Sequence, residues 1–153
     1  MHVDLDNYLF LNLMEKYLAK QFGLLGDDDF EAAQIDQFML TLDDLTSPMS
    51  ALFGVTDEEK KREILEQISK DHLIPGLKRL EGFLQKNGNK FFVGSRISVA
   101  DFAIYQLLFY TKKIFGDSTL DSFKDLELFM IRVNKDEKLK TYLLTRSEIL
   151  SSQ

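Results

Sequence analysis

A chain of 153 residues, 44% apolar with 13 Phe, is long and apolar enough for one domain with its own core. The absence of cysteine excludes disulfide frameworks, Cys-bearing zinc sites and thiol nucleophiles. A formal charge of −6 excludes the basic footprint that nucleic acid or an anionic membrane requires.

The opening residues carry Asp4 and Asp6 where a signal peptide has positive charge. No apolar run approaches the roughly 18 residues of a membrane span, so the sequence reads as soluble and cytoplasmic. Apolar residues then recur at Leu9, Phe10, Leu13, Met14, Tyr17 and Leu18 with helical spacing, predicting a first helix to about Phe22 with Gly23 as its C-cap. Asp28 followed by Glu31 is a capping-box-like start for a second helix carrying Ile35, Phe38, Met39, Leu42 and Leu45. That helix is expected to stop before Pro48, because the residue preceding proline is pushed out of the α region.

Residues 49–55 read as an apolar loop. Thr56 with Glu59 suggests a capping box opening a long amphipathic helix through Ile64, Leu65, Ile68, Leu73, Leu77, Leu80 and Leu84, kinked or divided at Pro75-Gly76. The turn Asn87-Gly88-Asn89 leads into a buried stretch at Phe91, Phe92 and Val93. From Ser98 to about Phe115 the sequence is apolar nearly all round, which predicts a central helix. Two shorter helices follow, one with Leu126, Phe129, Met130 and Val133, the other with Leu139, Tyr142 and Leu143, before a polar tail from about Arg146. No period-two pattern persists, so the fold class is all-α.

The start of the central helix has a complete capping pattern. Ser98 and Asp101 stand at N-cap and N3 of a capping box, with Ile97 and Phe102 at the positions of a hydrophobic staple. This structural role accounts for Asp101 without invoking a catalytic acid. His2 and His72, the two histidines, lie far apart without acidic or thiol companions at ligand spacing, so no metal site is expected. Tyr105 and Tyr110 read as core or pocket wall.

Three stretches, Lys16 to Gly26 (KYLAKQFGLLG), Thr41-Leu42-Asp43-Asp44 and Phe91 to Phe102 (FFVGSRISVADF), together resemble cytosolic glutathione transferases, most of all the sigma class. The resemblance covers roughly Tyr17 to Arg146. It implies three parts: residues 1–26 as the last helix of a thioredoxin-like domain with the interdomain linker, residues 27–146 as the C-terminal helical bundle, and residues 147–153 as a tail. It also implies a homodimer whose Asp44 reaches the glutathione of the neighbouring subunit, the plainer reading being a solvated acidic helix end. Thr46, Met49, Ala103 and Leu107 would line a pocket for a small apolar substrate, or else belong to the core.

Glutathione is the family's co-substrate, but the Gln-Ser pair that holds its γ-glutamyl carboxylate falls here on Phe10-Leu11, whose side chains have no donor. The resemblance therefore implies the substrate-binding and dimer-forming portion of a glutathione-conjugating or isomerising transferase, not expected to bind glutathione alone. The alternative is a non-catalytic interaction, scaffold or crystallin-like module. Phe123-Lys124 and the stretch from Lys135 to Glu137 stand where the family usually has helix-initiating prolines.

Overall fold

The structure is a computed structural model that describes residues 16–135. The N-terminal part of the predicted first helix, Phe10-Leu11, the helix expected around Leu139 to Leu143 and the tail lie outside the described residues. The described part of the first helix covers residues 16–21, and Gly23 follows in the left-handed region at φ 65°.

Five α-helices build the rest: α1 (Asp29–Thr46), α2 (Glu58–Ile68), α3 (Ile74–Lys86), α4 (Val99–Phe115) and α5 (Lys124–Asn134). Every regular element among the described residues is helical. Helix α4 packs against α1 and α5, and α3 packs on α5. The core between them contains Ile35, Leu42, Leu77, Leu80, Ile104, Leu108, Leu126 and Phe129. Phe38, Phe92 and Phe129 run through it edge to face, with centroids 5.5 and 5.0 Å apart, and Phe83 joins Phe38 at 5.3 Å. Rings in this arrangement bring positive edge to negative face, adding about 0.5–1.5 kcal/mol per pair to their burial.

Local chemistry sets the helix ends, in places differently from the sequence pattern. At α1 the Asp28 carboxylate accepts the Glu31 N–H at 2.8 Å as expected, but Glu31 reaches one residue further back, accepting from the Asp27 N–H at 2.7 Å. Helix α1 ends at Thr46, ahead of Pro48. The following residues are not a loop throughout, because Ser47–Leu52 forms a 3₁₀ helix with Pro48 in its first turn, where the missing N–H costs nothing.

Helix α2 is capped by Asp57 instead of Thr56. The Asp57 carboxylate, one residue nearer the helix, accepts from the N–H groups of Glu59 and Lys60 at 2.9 and 3.1 Å. The long helix divides just before Pro75: a π-helical turn, Ser69–Leu73, joins α2 to α3, and Pro75 falls in the first turn of α3. Gly76 lets α3 approach α1 closely, since a Cβ there would lie 2.1 Å from Leu45 Cδ2.

Helix α5 has no proline and no side-chain cap from Phe123. Its first turn is satisfied from a neighbouring helix: Glu81 of α3 accepts the Asp125 N–H at 3.0 Å, and Gln85 donates to the Asp125 carboxylate at 2.7 Å. Helix α4 is central over its first three turns, whereas Phe109, Tyr110 and Ile114 near its end are exposed. Its all-round apolar sequence therefore overstates its burial.

Candidate functional site

The start of α4 organises its surroundings. Ser98 takes an extended conformation at φ −128° and ψ 172°, as an N-cap residue does, and forms a capping box with Asp101. The strong bonds in it converge on the Asp101 carboxylate, which is fully buried. Oδ2 accepts from the Ser98 N–H at 2.8 Å and from the Ser98 hydroxyl at 2.9 Å, while Oδ1 accepts from the Phe92 N–H at 2.9 Å. Burial pushes the Asp101 carboxyl above its ordinary value, and the surrounding donors act in the opposite direction.

Asp101 thus ties the loop before α4 to the helix itself. The bond to Phe92 escapes the capping pattern, although the apolar Phe91-Phe92-Val93 run gives a signal for it. A buried loop must pair its N–H groups with something. Ile97 and Phe102, the staple positions, are half-buried.

Four residues were expected to line an apolar pocket. Ala103 and Leu107, one turn apart on α4, are half-buried and pack on the flank of the core. Met49 is half-buried in the 3₁₀ helix that follows α1. Thr46 is exposed, and its hydroxyl donates back to the Leu42 carbonyl at 3.0 Å. Helix α1, which ends at Thr46, packs on α4, while the 3₁₀ helix that carries Met49 packs against α1 and α2. Asp44 is exposed near the end of α1, on one face with Phe30 and Leu40.

Asp36 of α1 is joined to Lys16 at 2.6 Å. Among the described residues no group of three or more His, Asp or Glu is arranged to hold a metal ion. His72 is exposed on the π-helical turn. Tyr105 is buried and donates to Asn134 Oδ1 at 2.6 Å, tying α4 to the end of α5. Burial pushes its phenol upward, against the effect of that hydrogen bond, so it stays protonated at neutral pH.

A concavity opens beside the linker. It has a volume of about 590 Å³ and is walled by Lys16, Tyr17, Lys20, Leu25, Asp27 and Ala32 among others. None of the four expected pocket residues contributes to it. The linker itself is bound to the domain by Arg96, whose guanidinium donates to the Gly23 carbonyl at 2.5 Å, the Gly26 carbonyl at 2.7 Å and the Asp27 carboxylate at 2.6 Å. Nothing in the local sequence pattern singles out Arg96.

This all-helical arrangement, with a capping box opening its central helix, can be set against known proteins. Residues 43–146 match the family described as Glutathione S-transferase, C-terminal domain. The chain belongs to that family. Over 134 residues it is 32% identical to glutathione S-transferase P of Bos taurus, covering 86% of this chain and 61% of the bovine protein.

Among solved structures, the Pi-class glutathione S-transferase of Onchocerca volvulus superposes with a TM-score of 0.75 at 26% identity, over 90% of this chain and 65% of that one. The sigma-class enzyme of Fasciola hepatica gives a TM-score of 0.75 at 23% identity, over 86% of this chain and 62% of that one. The chain thus spans about three-fifths of the length of the curated relatives it matches. Pi and sigma classes are matched alike, so this glutathione transferase C-terminal domain is assigned to the family and not to one class within it.

Proposed function

We propose that this chain is the apolar-ligand-binding and dimer-forming helical domain of a glutathione transferase of sigma type, and that by itself it does not activate glutathione. The observation that carries the reading is the placement of Ala103 and Leu107 on the flank of a complete core, beside the helix that leads to Thr46 and Met49. Small and medium apolar side chains half-buried at a helix pair suit a flat or elongated apolar ligand. Among the described residues the ionisable groups shifted by burial are Asp101 and Tyr105, and both are engaged within the fold, Asp101 with the loop before α4 and Tyr105 with α5, which supports a binding role over thiol chemistry.

The dimer reading is supported by α1, where Phe30 is 71% and Leu40 67% exposed on the face that ends in Asp44. Apolar side chains exposed on that face would gain from a covering surface. In the dimer, Asp44 would approach the glutathione held by the neighbouring subunit. A cytoplasmic location is proposed on kinship with the glutathione transferases. No helix among the described residues is long and apolar enough to cross a membrane.

A second reading, a non-catalytic interaction module, is favoured by Phe10-Leu11 in place of a carboxylate-binding pair. Titration with an environment-sensitive naphthalene dye separates the two. The ligand-binding reading expects saturable enhancement that Leu107→Asp abolishes and Leu128→Asp, on α5, leaves in place. Equal enhancement in both variants would favour the interaction module.

A further inference from the structure

The linker between the first helical segment and α1 is held by more contacts than a connection of its length needs. Three bonds reach it from the loop preceding α4: Arg96 to the Gly23 carbonyl, the Gly26 carbonyl and the Asp27 carboxylate. A fourth runs from the Val99 N–H, at the first turn of α4, to the Leu24 carbonyl at 3.0 Å. A fifth comes from α1, where the Glu31 carboxylate accepts the Asp27 N–H at 2.7 Å. The Glu31 side chain reaches that position through a slot between two glycines. A Cβ on Gly26 would lie 2.5 Å from Glu31 Cβ, and one on Gly94 2.4 Å from Glu31 Oε1. Both glycines also have positive φ, 85° and 60°, where a side chain would be strained.

We infer that Arg96 and Glu31 form a latch that fixes the linker, and with it the direction in which the first helical segment enters, so that the helical domain sets this geometry unaided. Arg96 suits the task because its planar guanidinium presents several donors at fixed angles and satisfies two carbonyls and a carboxylate at once. A lysine would offer a single point charge on a flexible stem. The Arg96–Asp27 ion pair is about half exposed and contributes little alone. The two carbonyl bonds give the latch its specificity, since they fix backbone and not merely side chains. The latched residues Gly23, Gly26 and Asp27 also form one side of the open concavity beside Tyr17 and Lys20.

Amide hydrogen exchange on the full chain tests this, because the latch and the α4 capping box protect different N–H groups. The Asp27 and Val99 amides report the latch, and the Phe92 and Ser98 amides report the carboxylate of Asp101. In Arg96→Gln the Asp27 and Val99 amides should exchange at least about tenfold faster while Phe92 and Ser98 keep their rates, the signature of a local opening. Asp27→Ala, which removes only the ion pair, should accelerate Val99 less than Arg96→Gln does. Unchanged rates at Asp27 and Val99 in Arg96→Gln would overturn the inference, as would equal acceleration at all four amides, which would make Arg96 a support of the whole domain. Should Arg96→Gln fail to fold, Glu31→Ala serves instead: faster exchange at Asp27 with Phe92 and Ser98 held supports the latch, and an unchanged Asp27 rate refutes it.

Discussion

Removing the Asp101 carboxylate is the perturbation whose cost the structure defines best. In Asp101→Ala the buried N–H groups of Phe92 and Ser98 lose their acceptor together, and the Ser98 hydroxyl must turn elsewhere. A buried donor left unpaired costs about 1–3 kcal/mol, so two cost about 2–6 kcal/mol before any cavity is counted. Against a total stability of about 5–15 kcal/mol this is a large share. At about 2–4 °C per kcal/mol for a chain of this size, the melting temperature should fall by about 4–24 °C. Ser98→Ala, which loses the hydroxyl but keeps both backbone bonds to Asp101, should fall by a few degrees only, in line with about 1 kcal/mol for a lost cap. Thermal melts followed by far-ultraviolet circular dichroism compare the three proteins directly. An Asp101→Ala melting temperature within a degree or two of the wild type would refute the reasoning.

Other consequences follow from the same contacts. The raised Asp101 pKa means that the folded state holds its proton more tightly than the unfolded state between 3.8 and the folded value, so the wild type should lose stability relative to Asp101→Asn as pH rises through that window. Urea melts across that range should show the wild-type stability minus that of Asp101→Asn falling as pH rises and flat beyond it; a difference that rises with pH would contradict the burial argument. Glu81→Ala should free the Asp125 N–H at the start of α5 and cost about 1 kcal/mol, read as a melting temperature lower by about 2–4 °C. Gly76→Ala should cost about 1–3 kcal/mol through overpacking on Leu45, and Leu45→Ala should make the same substitution nearly neutral in a double-mutant cycle.

The parts of this domain written as local pattern were legible in the sequence. The all-α class, the second helix from Asp28 to Pro48, and the Ser98 and Asp101 pair follow from periodicity, proline and capping chemistry, which act over three or four residues. Choices between adjacent candidates were less so: Thr56 and Asp57 can both cap α2, and only the geometry shows that Asp57 does. Contacts between distant residues left no local trace. The Glu81 carboxylate capping α5 across 44 residues, and the Arg96 guanidinium reaching back about 70 residues to the linker, each look in sequence like ordinary solvated charges. The apolar run of α4 misled in the other direction, since Phe109, Tyr110 and Ile114 are exposed despite belonging to the most apolar stretch. The candidate pocket residues came from resemblance alone, since no local pattern marks Ala103 or Leu107 apart from the other apolar residues of α4.

Steady-state conjugation of glutathione to a chloro-dinitrobenzene by the purified chain is the most direct test of the proposal that this domain binds without activating a thiol. Lowering the pKa of the glutathione thiol needs a positioned donor, and such assistance typically contributes about 10²–10⁴-fold in rate. With Asp101 and Tyr105 engaged in the fold, the predicted result is a rate equal to the uncatalysed one and proportional to both reactants. Saturable turnover that disappears in Asp44→Ala or Tyr105→Phe would contradict it.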